Sequence, residues 1–221
     1  MARRTPLSVL SVVTSAVLAL GAVVGIPSAA HAASYSAPLS QAIADLPVAS
    51  EVRTGYDRDL FKLWVDADGD GCNARNEVLI EEAEEAPTVG SGCALSGGRW
   101  FSYYDGVSQT APADLDIDHM VPLAEAWDSG ARSWSSAKRE SYANDLGDYR
   151  TLVAVTDSVN QTKSDQDPSE WLPAQQQCRY LREWVAVKHR WALSVDSAEK
   201  SALTSIAAGC DDTTISVELA A

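Results

Sequence analysis

Two hydrophobic periods run through this chain, and where each begins and stops predicts its elements. Two arginines precede an apolar run from Leu7 to Ile26, which ends in the small-residue pattern Ala30-His31-Ala32. That order of charge, apolar stretch and small residues predicts a cleavable secretory signal over residues 1–32. Residues 33–51 are rich in Ala and Ser without a clear period and read as a flexible leader. "YDRDLFKLWV" (56–65) then sets Leu60, Phe61 and Trp64 on one helical face, and "VLIEEAEEA" reads as a second helical run. The glycine-punctuated aromatic stretch that follows suits a β-hairpin or two short strands around residues 93–105.

From there the period shortens to two. "DLDIDHM" (114–120) alternates as a strand does, and Pro122 ends it. Residues 123–144 are helical and loop-like, with Trp127 and Trp134 as core candidates, and "YRTLVAV" (149–155) is a second β-rich run. "TDSVNQTKSD" begins as a helix begins. In "DPSEW", Asp167 suits an N-cap, Pro168 the first helical position and Glu170 a capping box. The strongest helix is "CRYLREWVAVKHRWAL", where Tyr180, Trp184, Val187 and Trp191 recur at helical spacing. These elements predict an α+β fold: one mainly helical domain over residues 52–212, followed by a short tail at 213–221.

Composition narrows the class. Removing the signal leaves roughly 190 residues, enough for one domain with a sizeable core. No apolar run long enough to span a bilayer remains, so the product is expected off the membrane, extracellular and monomeric. Four cysteines in an exported chain predict two disulfides. Of three connectivities, Cys72–Cys93 with Cys178–Cys210 closes the shorter loops. The formal net charge of −14 becomes two units more negative without Arg3 and Arg4. So acidic a surface repels anionic polymers at low salt, which weighs against broad nucleic-acid binding. The excess acid falls mostly before residue 119, leaving Arg132, Lys138, Arg139, Arg150 and Lys163 in a less negative second half.

Histidine is scarce: the chain holds 3, His31, His119 and His189, and the first lies in the signal. His119 sits in "DLDIDHMVP" among aspartates, at the end of the predicted strand. An imidazole is the side chain best matched to taking a proton from water near neutral pH. The neighbouring Asp118 carboxylate suits a hard divalent cation. On the helix beginning near Asp157, Asn160 and Lys163 lie one turn apart on one face. The Asn160 amide oxygen can join Asp118 as a ligand for Mg²⁺ or Mn²⁺, and the Lys163 ammonium can meet a phosphate.

A strand–loop–strand–helix that gathers Asp118, His119 and Asn160 is the pattern of a ββα-metal nuclease centre, here over residues 112–170. "DIDHMVP" followed by "NQTKSDQDP" resembles the HNH (His-Me finger) endonucleases, including the HNH segment of CRISPR effector nucleases. "GYDRDLF", "DGCNARNEVL", "YANDL", "DPSEWLP" and "WVAVKHRW" add a resemblance to the exported HNH family related to the C-terminal domain of GmrSD restriction endonucleases. The resemblance implies His119 as general base, Asp118 and Asn160 as metal ligands, and phosphodiester hydrolysis of nucleic acid, DNA ahead of RNA. It places Thr151 where these enzymes carry a loop-bracing Asn, and Arg75 in "GCNARNE" as a second phosphate contact beside Lys163.

One motif points elsewhere. "DADGDGCNARNE" fits the EF-hand loop formula, with Asp66, Asp68, Asp70 and Glu77 as Ca²⁺ ligands and helical patterns on both sides. Two alternatives therefore stand beside a secreted nuclease: a Ca²⁺-binding interaction module with an inactive nuclease-like fold, and a phosphodiesterase acting on small nucleotides.

Overall fold

Residues 33–221 are described by a computed structural model; the predicted signal lies outside them. The two ends of this region pair with each other. Strand β1 (Ser34–Pro38) runs antiparallel to β8 (Thr214–Glu218), from Ser34 opposite Glu218 to Pro38 opposite Thr214. Helix α1 (Leu39–Asp45) follows, burying Leu39, Ala42 and Ile43. The segments expected as a flexible leader and tail are thus part of the domain. "SYSAP" and "TISVE" are each too short to signal a strand, and their pairing joins opposite ends of the chain.

Residues 56–65 are not a helix. A single 3₁₀ turn forms at Arg58–Leu60, and the backbone then enters the left-handed region at Trp64, with φ 56°. A helix cannot continue through that conformation. Helix α2 (Ala74–Glu81) starts after the acidic loop, capped by the Asn73 side chain. Two small antiparallel pairs follow: β2 (Thr88–Val89) with β3 (Leu95–Ser96), and β4 (Trp100–Ser102) with β5 (Val107–Gln109).

The central ribbon is β6 (Leu115–His119) paired antiparallel with β7 (Leu152–Thr156), with His119 opposite Leu152 and Asp118 opposite Val153. Between the strands lie α3 (Leu123–Asp128) and α4 (Ser136–Ala143); α5 (Asp157–Lys163) leaves β7 directly. Both faces of the ribbon are covered, which explains the continuous apolar run "LVAV". Leu115, Ile117, Leu152 and Ala154 pack with Val78, Leu79 and Trp100, while Val153 and Val155 join the main core.

Helix α6 (Gln177–Arg190) runs through that main core, burying Tyr180, Leu181, Trp184, Val185 and Val187. Asp167–Trp171 is a single turn rather than the predicted helix: the Asp167 side chain takes the Ser169 amide and its carbonyl takes the Glu170 and Trp171 amides, but no second turn follows. Buried Lys188 contacts Glu125 at 2.6 Å and, on α7 (Ser197–Ala207), Glu199 at 3.1 Å. The disulfides Cys72–Cys93 and Cys178–Cys210 complete a mixed α/β domain. Among the described residues no helix is long and apolar enough to cross a membrane.

Candidate active site

The site begins where one strand face meets one helix face. Along β6, alternation turns Asp116 and Asp118 toward α5, whose Asn160 and Lys163 are one turn apart. Residues two apart on a strand are about 6.7 Å apart, and those three apart on a helix face about 5–6 Å, near enough for their side chains to pair. Two rungs result. The Asn160 amide nitrogen donates to Asp116 Oδ2 at 3.2 Å, and Lys163 Nζ donates to Asp118 Oδ1 at 2.8 Å. The lysine also donates to the His119 carbonyl at 3.0 Å, and the Tyr104 hydroxyl donates to Asp118 Oδ2 at 2.6 Å.

Burial dominates the titration of this cluster. It pushes the Asp118 carboxyl up, opposed by the Lys163 ammonium and the Tyr104 hydroxyl. It pushes the Lys163 ammonium down, opposed by Asp118. Each is the other's main compensation for that burial.

His119 lies at the end of β6, where its side chain can turn away from α5. The ring sits between Trp64 and Tyr142, with centroids at 5.7 and 6.2 Å. Its Nε2 lies 3.0 Å from the carbonyl oxygen of Ala143. A carbonyl only accepts, so Nε2 carries the proton and Nδ1 keeps the lone pair. Burial brings the imidazole down to about 4, helped by Arg58 and Lys163 and opposed by the Ala143 bond. It is therefore neutral, and basic at one nitrogen, across the physiological range. His189 is occupied structurally: it stacks on Tyr35 at 3.8 Å and contacts the Ala42 carbonyl at 2.8 Å.

Asp118, His119 and Asn160 line one open cleft of about 490 Å³, with Tyr56, Arg58 and Asp165 among its other walls. The oxygen donors suit a hard divalent cation. Asp118 keeps lone pairs on both oxygens after its two hydrogen bonds. Asp116 holds the amide nitrogen of Asn160, leaving the amide oxygen as the free donor.

Two expected phosphate contacts are placed elsewhere. Lys163 is fully buried under Asp118 and the His119 carbonyl, so no phosphate reaches it. Arg75 donates to the carbonyls of Pro112 and Leu115 at 3.1 and 2.9 Å, bracing the start of β6. The Thr151 hydroxyl donates to Asp145 at 2.9 Å, and Asp145 also receives Arg190 and Trp191, so Thr151 ties the loop before β7 to α6. Most of the basic second half is engaged within the protein: Arg132, Arg139, Arg150 and Lys163 bond its own oxygens, and Lys138 stands over Trp134.

The acidic loop lacks the entering helix of an EF-hand, because residues 56–65 are not helical. Its carboxylates still converge: ligand atoms of Asp66, Asp68 and Asp70 lie within 4.8 Å of one another, as do those of Asp70, Cys72 and Glu77. Cys72 is consumed by its disulfide. Partial burial and then the charges of Asp70, Asp68 and Asp66 push the Glu77 carboxyl up.

Four features were not assigned from sequence: Arg58 on the cleft wall, and Asp116, Tyr104 and the Ala143 carbonyl as partners of Asn160, Asp118 and His119. Asp116 was legible, standing two residues before Asp118 on an alternating strand. Tyr104 and Ala143 reach the cluster only through tertiary packing.

The chain matches the family described as GmrSD restriction endonucleases, C-terminal domain, over residues 75–206. It is also 47% identical over 208 residues to an "Uncharacterized secreted protein" of Arthroderma benhamiae (strain ATCC MYA-4681 / CBS 112371), covering 93% of this chain and 98% of that one. No solved structure matches it significantly.

Proposed function

The chain belongs to the GmrSD C-terminal domain family of restriction endonucleases, and from that premise we propose that it is a secreted, metal-dependent endonuclease hydrolysing phosphodiester bonds of nucleic acid. One observation carries the reading: His119, held by the Ala143 carbonyl with Nδ1 free, shares its cleft with the oxygen donors Asp118 and Asn160. Export agrees with two closed disulfides in so small a domain. Cleavage of residues 1–32 as a signal belongs to the same reading.

His119 Nδ1 takes a proton from the attacking water, and the Nε2–H bond to Ala143 holds the ring for that transfer. Trp64 and Tyr142 keep the imidazole desolvated and therefore neutral. Lys163 keeps the buried Asp118 ionised, and Asp116 orients the Asn160 amide. Asp118 and Asn160 would hold Mg²⁺ or Mn²⁺, which when bound supplies charge stabilisation at the phosphate and the departing 3′-oxygen. The products then carry 5′-phosphates. The test is digestion of DNA and RNA with Mg²⁺ or Mn²⁺, using wild type and a folded His119→Gln variant. Equal cleavage by both rejects the mechanism.

The convergence of Asp66, Asp68 and Asp70 favours a second reading for that loop alone, a Ca²⁺ site outside the cleft of His119. A Ca²⁺-binding module without hydrolysis would show this binding and no cleavage.

A further inference from the structure

Most cations of this protein are committed to its own oxygens. Of the lysines and arginines among the described residues, Arg58, Lys138 and Arg182 have no carboxylate or carbonyl within hydrogen-bonding distance. Lys138 stands over Trp134 and Trp191, at 5.3 and 5.9 Å from the ring centroids. Arg182 lines a different hollow, beside Arg179 and Thr214. Arg58 alone of the three borders the cleft of His119. Arg53, close by in sequence, is spent on Asp128 and Asp165 at 2.6 and 2.5 Å.

Arg58 also stands on a fixed platform. Its 3₁₀ turn is capped by Asp57, whose side chain takes the Asp59 amide at 3.0 Å. Tyr56 before it packs on Phe61 and Trp127, and Phe61 is buried. The exposed guanidinium is thus presented from an anchored turn to the same cleft that His119 lines. Around it the charge is negative: Asp57 and Asp59 flank it in sequence, and Asp165 forms part of the cleft wall.

We infer that Arg58 is the residue that contacts the substrate phosphate, and that the substrate is a short or single-stranded polynucleotide gripped at one phosphate rather than a duplex held along its backbone. This rests on the nuclease reading above and adds its substrate class. A guanidinium fork suits one phosphate, and among the described residues no row of free cations continues from Arg58 to follow a second strand.

The test compares kcat/KM on a short single-stranded oligonucleotide and its duplex, in Mg²⁺, between 50 and 200 mM salt. One phosphate contact gives a loss of about two- to fourfold over that range, against about 10³–10⁵ for a protein neutralising many phosphates. Arg58→Ala should lower kcat/KM roughly 10- to 100-fold, mainly through KM, with partial recovery in Arg58→Lys. Arg58→Ala within twofold of wild type, or a wild-type loss of about a thousandfold over the salt range, overturns the proposal.

A binding arm separates it from the nuclease reading: anisotropy of the labelled oligonucleotide with His119→Gln in Mg²⁺, with and without Arg58→Ala. Arg58-dependent binding without wild-type cleavage removes the nuclease reading and keeps the arginine's role. Arg58-independent binding removes the arginine's role whatever the turnover.

Discussion

Lys163 Nζ lies 2.8 Å from Asp118 Oδ1, and the lysine side chain has no exposed surface while the aspartate keeps 5%. This contact turns a residue expected to meet phosphate into the buried partner of a proposed metal ligand. Lys163→Met leaves the Asp118 carboxylate buried and unpaired. The expected cost is about 3–5 kcal/mol of unfolding free energy in urea, with part recovered by adding Asp118→Leu. A lysine acting only on substrate would raise KM and leave stability unchanged.

Replacing His119 by Gln removes the base while keeping a side chain of similar reach. Hydrolysis should fall by about 10²–10⁴-fold, with the far-ultraviolet circular dichroism unchanged. Retained turnover would move the base elsewhere.

The imidazole at about 4 sets two pH dependences. The acid limb of kcat/KM should lie near pH 4, not near pH 6.5 as for a free histidine. For stability, the folded value is depressed below about 6.5, so between these values the unfolded chain binds the extra proton. The contribution is complete above pH 6.5 and lost as pH falls through 4. At pH 4, wild type should have lost about 3 kcal/mol more than His119→Gln, relative to pH 7. Parallel pH profiles of the two proteins would reject the burial argument.

Ca²⁺ should raise the melting temperature through the Asp66–Glu77 loop, where the carboxylates of Asp66, Asp68 and Asp70 converge. Calorimetry with and without Ca²⁺ reads the shift, which Asp66→Ala combined with Glu77→Ala should abolish. An unshifted wild type rejects the loop as a Ca²⁺ site.

Ile43 is 2% exposed, inside the segment that reads as a leader. Ile43→Ala should cost about 2–5 kcal/mol by chemical denaturation. In a flexible leader the same change would be silent.

Local pattern determined a good part of this molecule. The alternation in "DLDIDHM" and the apolar run "LVAV" correspond to β6 and β7, and the tryptophan spacing marks α6, because period and burial are local properties of a segment. Two disulfides followed from cysteine number, and their pairing from loop length. Asp118, His119 and Asn160 were legible as residue types suited to one chemistry. What each polar group touches was decided by tertiary structure. Lys163 and Arg58 are both cations in polar stretches, yet packing buries the first against Asp118 and leaves the second at the cleft wall. The pairing of β1 with β8 likewise joins segments that carry no sign of each other. Burial and partner choice depend on residues far along the chain, and a charge does not disclose in sequence whether it will be solvated or spent.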